Sequence, residues 1–198
     1  SLSATLDADS GSQYSEEREV KNVLIVSISS NRGLAGAFNS NIIKQTQYLI
    51  DNVHSGKKVS VIAIGKKTND SFSKKGIVIA NHSEIYDDLT FDNVAAIAEM
   101  LMDKFVTGEF DKIEIIYNKF KNAATQIVMT EQFLPIVPVE GEVNVNADYI
   151  FEPSKIEIVE QLIPKSLKTQ LYKGIRDSFA SEHGARMTAM DSATRNAG

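Results

Sequence analysis

The sequence predicts a three-layer α/β domain, with a mostly parallel sheet and an antiparallel edge strand, followed by a long C-terminal helix. Three observations carry this. Continuous apolar, β-branched runs at 22–29 (NVLIVSIS), 58–65 (KVSVIAIG) and 112–118 (KIEIIYN) are separated by segments of helical spacing, as expected of strands covered on both faces. An alternating segment (125–135) follows the last run too closely for a helical crossover. From Lys165 to Asn196 there is no proline, and the only glycines are Gly174 and Gly184. Strands and helices alternating in this order are Rossmann-like in outline.

The elements divide into a polar linker or insertion (1–20), the α/β domain (21–153) and a C-terminal helix (154–198). Residues 1–20 are rich in Ser, Asp and Glu, so they are expected to be ordered only if something holds them. After the first strand and a glycine loop, Ile42, Thr46, Leu49 and Val53 recur at helical spacing, and Gly56 stops the pattern. The second strand leads into a short polar segment holding Phe72, and 76–81 (GIVIAN) is a third strand. Val94, Ile97, Ala98, Leu101 and Phe105 stripe one helix, with Thr90 or Asp92 to cap it. The fourth strand and segment 125–135 read as an antiparallel hairpin around KFKNAA, with Ile127, Met129 and Phe133 on one side.

Residues 135–153 hold three prolines and form an exit segment. Ser154 and Glu157 have capping-box spacing, and Pro164 interrupts that helix or starts the next. A helix from Lys165 to Asn196 would reach almost 50 Å at about 1.5 Å per residue, more than cover of the domain requires. Leu167, Leu171, Ile175 and Phe179 suit packing on the sheet domain. Beyond Glu182 the apolar residues are small or flexible, among them Ala185, Met187, Ala189, Met190 and Ala193, a composition that lets another helix approach closely. Glu182 with Arg186, and Asp191 with Arg195, are i,i+4 pairs.

The chain of 198 residues is 42% hydrophobic and carries a formal charge of −5, which favours one ordinary globular core over a nucleic-acid binder. It has no cysteine, which excludes disulfides, zinc–thiolate sites and thiol nucleophiles. The loop SSNRGLAGAFN (29–39) raises the question of a phosphate cradle. A dinucleotide fingerprint needs three glycines and a ribose-binding acid, and a P-loop needs Gly-Lys-Ser/Thr. Only Gly33 and Gly36 are present, and the second strand ends in GKK. A strand-to-helix corner is the better reading. A nucleotide- or anion-binding α/β enzyme using 31–39, with Arg32 at the helix start, is the alternative. His54, His82 and His183 lie on separate elements without metal spacing, and His54 is explained by a helix C-terminus. No catalytic, cofactor-binding or metal-binding constellation is expected.

Two stretches together resemble one family. SSNRGLAGAFN is similar to Ser-Asp-Arg-Gly-Leu-Cys-Gly-Ala-Phe-Asn, and SEHGARMTAMDSATRNAG (181–198) is close to the signature that starts a C-terminal coiled-coil helix. With the order of elements between them, residues 22–198 resemble the gamma subunit of F-type ATP synthases, the central shaft of a rotary motor. The resemblance implies a Rossmann-like domain joined to two long helices in an antiparallel coiled coil, of which the C-terminal helix here is half. It implies a non-catalytic rotor that couples c-ring rotation to ATP chemistry on beta subunits, within a proton-translocating complex. Alpha and beta subunits as a hexamer, epsilon and the c ring would be partners, with no cofactor, nucleic acid or membrane insertion. Arg32, Gly33, Leu34, Gly36, Phe38 and Asn39 would be structural residues of the turn. Glu182, Arg186, Met187, Met190, Asp191, Thr194 and Arg195 would belong to the shaft or face partners. Asn31 stands where the family has Asp, and Ala35 where it commonly has Cys. The N-terminal helix and the end of the C-terminal one are lacking, as in a central piece of the subunit. The expected location is peripheral, on the cytoplasmic face of a bacterial plasma membrane, with a mitochondrial origin also open.

Overall fold

The computed structural model describes residues 12–33, 37–137 and 154–197. Leu34, Gly36, residues 1–11 and the exit segment from 138 to 153 lie outside the described residues. Five strands form one sheet: β1 (Asn22–Ile28), β2 (Lys58–Ile64), β3 (Val78–Asn81), β4 (Lys112–Asn122) and β5 (Thr125–Leu134). Their order is β3-β2-β1-β4-β5. The first four are parallel, and β5 runs antiparallel on the edge beside β4.

The continuous apolar runs arise because the sheet is covered on both faces. On one face Leu24, Val26 and Ile28 join a large core with α3 (Phe91–Val106) and the long α4 (Ile163–Ala197). On the other, Val23 and Ile25 join Ile116 and two residues of the α1 segment (Phe38–Tyr48 and the turn after it), Ile42 and Leu49. Thr90 caps α3 by accepting from the Asn93 N–H at 3.2 Å. The predicted α/β architecture with its antiparallel edge and long final helix is therefore the observed one.

Four local features refine the sequence reading. The polar segment around Phe72 is a helix, α2 (Lys66–Ser73). Only Thr68 and Phe72 face inward, one turn apart, too few for a periodic signal. Second, α1 ends in a wide π-type turn, Leu49–Val53, in which the His54 N–H donates to the Leu49 carbonyl five residues back. The extra residue rotates the helix face, so Val53 points outward and His54 inward. His54 is bonded to the mostly buried Glu114, which replaces the helix-dipole account of that histidine.

Third, Pro164 lies in the first turn of α4, so of its two expected roles it starts the next helix. A second wide turn, Ile158–Leu162, precedes α4 and falls where the proline ring would clash with a regular preceding turn. The Ser154 cap forms as expected, accepting from the Glu157 N–H at 3.1 Å. Fourth, Phe179 is 49% exposed, whereas Leu167, Leu171 and Ile175 are buried. A four-residue step advances about 40° around a 3.6-residue helix, so the stripe leaves the core by its fourth member. Phe179 stacks on Tyr86 at 6.2 Å instead.

Residues 12–20 are held. The Arg18 guanidinium donates to the carbonyls of Phe105 and Phe110 at 2.9 and 2.7 Å and lies 4.2 Å from the Phe105 ring. It also pairs with Asp111 at 3.5 Å, whose carboxylate accepts the N–H groups of Lys21 and Asn22.

Candidate functional site

The glycine loop folds back on itself through its polar side chains. Asn39 accepts the Ser30 N–H at 3.0 Å and donates to the Ser30 hydroxyl and the Arg32 carbonyl. Asn31 accepts the Lys66 N–H at 2.9 Å and donates to the Ser83 carbonyl at 3.1 Å. Ser29 accepts the Thr68 N–H at 2.9 Å, and the Ser30 carbonyl accepts that of Lys67. The loop after β1 thus caps α2, satisfying N–H groups that the first turn of a helix leaves free. Gly65 permits this. Its φ is +115°, and a Cβ there would sit 2.2 Å from the Ser29 carbonyl oxygen.

In an open α/β sheet a ligand sits beyond the carboxyl ends of the strands, where the strand order reverses. Here that place is between β1 and β4. It is filled. Asn118, the last buried residue of β4, donates to the carbonyl of the buried Phe38 at 3.2 Å. The Ser181 hydroxyl of α4 lies across it and donates to the Asn118 carbonyl, also at 3.2 Å. Among the described residues the switch point itself is thus occupied, which leaves the nucleotide alternative only the adjoining polar cleft lined by Asn31 and Arg32. No group of His, Asp or Glu among the described residues could hold a metal ion.

The geometry instead brings two separately predicted sets together. Arg32 of the loop shares a polar cleft of about 270 Å³ with Glu182, His183 and Arg186 of α4, floored by Tyr86 and Phe179. Glu182 bonds Arg186 at 2.8 Å. Burial pushes the Glu182 pKa up, and Arg186, Arg32 and His183 only partly oppose this. The cleft is therefore an electrostatic joint between loop and helix, with the carboxylate as its hub.

Past the cleft the helix leaves the domain. Met187 and Met190 are 54% and 64% exposed, Asp191 pairs with Arg195 at 3.1 Å, and the Thr194 hydroxyl donates to the Met190 carbonyl. On the inner side Ala185, Ala189 and Ala193 form a shallow groove with Phe38 and Ala124. Gly33 contributes no polar side chain to the cleft. No sequence pattern points to Asn118, Ser181 or the buried Thr46–Ser27–Thr68 hydroxyl chain, because their partners are set by tertiary pairing alone.

A family model described as ATP synthase matches residues 1–198. The ATP synthase gamma chain of Flavobacterium psychrophilum is 66% identical over 197 residues, which is 99% of this chain and 68% of that relative. The chain belongs to the ATP synthase gamma-chain family. Another gamma chain, from Christiangramia forsetii, is 63% identical over 196 residues, again 99% of this chain and 68% of the relative. The fold matches the Tetrahymena thermophila mitochondrial ATP synthase central stalk/c-ring structure, with TM-score 0.68 and 23% identity over 90% of this chain and 79% of that one. It also matches the Euglena gracilis mitochondrial ATP synthase rotor, with TM-score 0.69 and 20% identity over 98% and 75%. At those identities the two structures speak to fold. The helix leaving the family's domain is the element the sequence singled out, and no described helix is long and apolar enough to cross a membrane.

Proposed function

We propose that this chain is the α/β domain and shaft base of the rotor, or central-stalk, subunit of an F-type ATP synthase. It couples c-ring rotation to ATP synthesis or hydrolysis in a proton-translocating complex. The observation that carries this is 66% identity to a gamma chain across 99% of the present chain. The geometry supports it: the strand-end crevice is filled, and a helix departs with an open face of Met and Ala.

Catalysis belongs to the beta subunits, and this chain supplies no reacting group. Rotation acts through shape, because an asymmetric shaft favours a different conformation in each beta subunit it faces. Met187, Met190, Asp191, Thr194 and Arg195 face the N-terminal helix of the coiled coil or the alpha–beta hexamer. The α/β domain outside the hexamer contacts epsilon and the c ring. Its location is peripheral, on the cytoplasmic face of a bacterial plasma membrane.

Reconstitution tests this reading. Full-length subunit mixed with alpha, beta, epsilon and c-ring components should enter the complex and restore ATP-driven proton pumping. Failure to enter it, or equal coupling in its absence, would refute the proposal.

A further inference from the structure

We infer that the β4–β5 hairpin is a bracket that fixes the angle of the shaft helix on the α/β domain, with Gly184 and Thr188 as its positioning residues. The inference rests on the rotor reading above.

β4 runs past the sheet. Its residues 113–118 are buried, whereas 119–122 and the turn at Ala123 and Ala124 are exposed. A two-stranded ribbon projecting alone has little to stabilise it. This one lies along α4, and the contacts are made through small groups at close range. The Ser181 hydroxyl donates to the Asn118 carbonyl at 3.2 Å at the ribbon's base. At its tip the Thr188 hydroxyl donates to the Ala123 carbonyl at 2.9 Å. Between them, a Cβ on Gly184 would come within 2.9 Å of the Ala123 Cα and carbonyl oxygen, backbone atoms with no side chain to swing away.

Ser181, Gly184 and Thr188 are spaced by three and four residues, so they occupy one helix face. They grip about 10 Å of helix axis. Two hydrogen bonds at the ends and a steric stop between them oppose rotation of the helix about its own axis as well as tilt. The large core residues of α4 end at Ile175, so the hairpin holds the helix after core packing has ceased. Torque passing between domain and shaft must cross this joint. Glycine at 184 is unfavourable for a helix interior, so its presence there is accounted for by the close approach.

The test uses the full-length subunit in the assembled complex, held by its hexamer, with a rod attached to the domain through Asp70→Cys. The chain's lack of cysteine makes that label unique within it. The measured quantity is the variance of the rod's angle while the hexamer is stalled, which is inversely related to torsional stiffness. Gly184→Val should about double the variance and Thr188→Val should raise it measurably, because both loosen a rigid coupling element. Thr188→Ser, which keeps the hydroxyl, should leave it at the wild-type value. ATP hydrolysis by the unstalled complexes should be unchanged. Wild-type variance in both Gly184→Val and Thr188→Val overturns the bracket. If Gly184→Val does not assemble, the contrast between Thr188→Val and Thr188→Ser decides alone. A wild-type subunit that does not rotate under ATP overturns the rotor reading instead.

Discussion

At the scale of single residues, the loop after β1 is governed by backbone constraint and buried polarity. Gly65 holds φ +115° against the Ser29 carbonyl, so Gly65→Ala should cost more than about 2 kcal/mol, read as a lower urea midpoint at constant slope. The buried His54–Glu114 pair makes a different prediction. Removing one partner, as in His54→Leu, leaves the mostly buried Glu114 without its partner and should cost about 3 kcal/mol. Replacing both by leucine should cost much less than the sum of the single changes, and additive costs in the double-mutant cycle would contradict this. Glu182 tests the sign of burial. Its carboxyl pKa is raised, so the folded state favours the proton. That contribution is full below the ordinary unfolded value of about 4.3 and is lost as pH rises through the folded value. Stability of the wild type relative to Glu182→Gln should therefore fall as pH increases from about 4. A rise would mean that Arg186 outweighs burial. Of these three environments only the Glu182–Arg186 pair is readable from the chain, and its burial is not. Gly65 looks like any strand-ending glycine, and His54 meets Glu114 across 60 positions.

At the scale of elements, legibility follows the number of inward-facing residues. β1, β2 and α3 each bury several apolar side chains at a regular interval, and the sequence exposes them without help. α2 buries two residues, and its start is stabilised by Asn31 and Ser29 from another element. Its signal is therefore tertiary. The long helix was legible as a helix and less so as a surface, because a stripe stepping by four drifts off the core before Phe179. The seam between the two family motifs was legible only in part. Each motif could be recognised alone, but nothing in the spacing says that Arg32 faces Glu182. Protection of α4 has a boundary set by its anchors. Beyond Glu182, where the apolar residues become small, Gly184 is still buried and Thr188 is bonded to Ala123. Amide hydrogen exchange on the 198-residue chain should therefore show slow exchange through about Thr188 and fast exchange in the exposed turns after it, since exposed helix ends open at little cost. Fast exchange beginning at Glu182 would show that the hairpin does not hold the helix.

At the scale of the whole molecule, the chain has the architecture of a ligand-binding α/β protein whose switch point, among the described residues, is occupied by its own side chains. Parallel strands, a glycine loop and a helix start are all present where β1 and β4 diverge. The space between them is taken by Asn118, Phe38 and Asn39, and the helix lies across it at Ser181. The same atoms that close the crevice connect the sheet to the shaft. Occupation of the switch point and a seat for the helix are thus made by the same contacts. Calorimetric titration of the isolated chain with ATP, ADP or a nicotinamide dinucleotide should give no saturable heat at micromolar to millimolar ligand, and Arg32→Ala should change nothing in that trace. Saturable binding abolished by Arg32→Ala would mean that the loop can open, and that the seat of the helix is a gate.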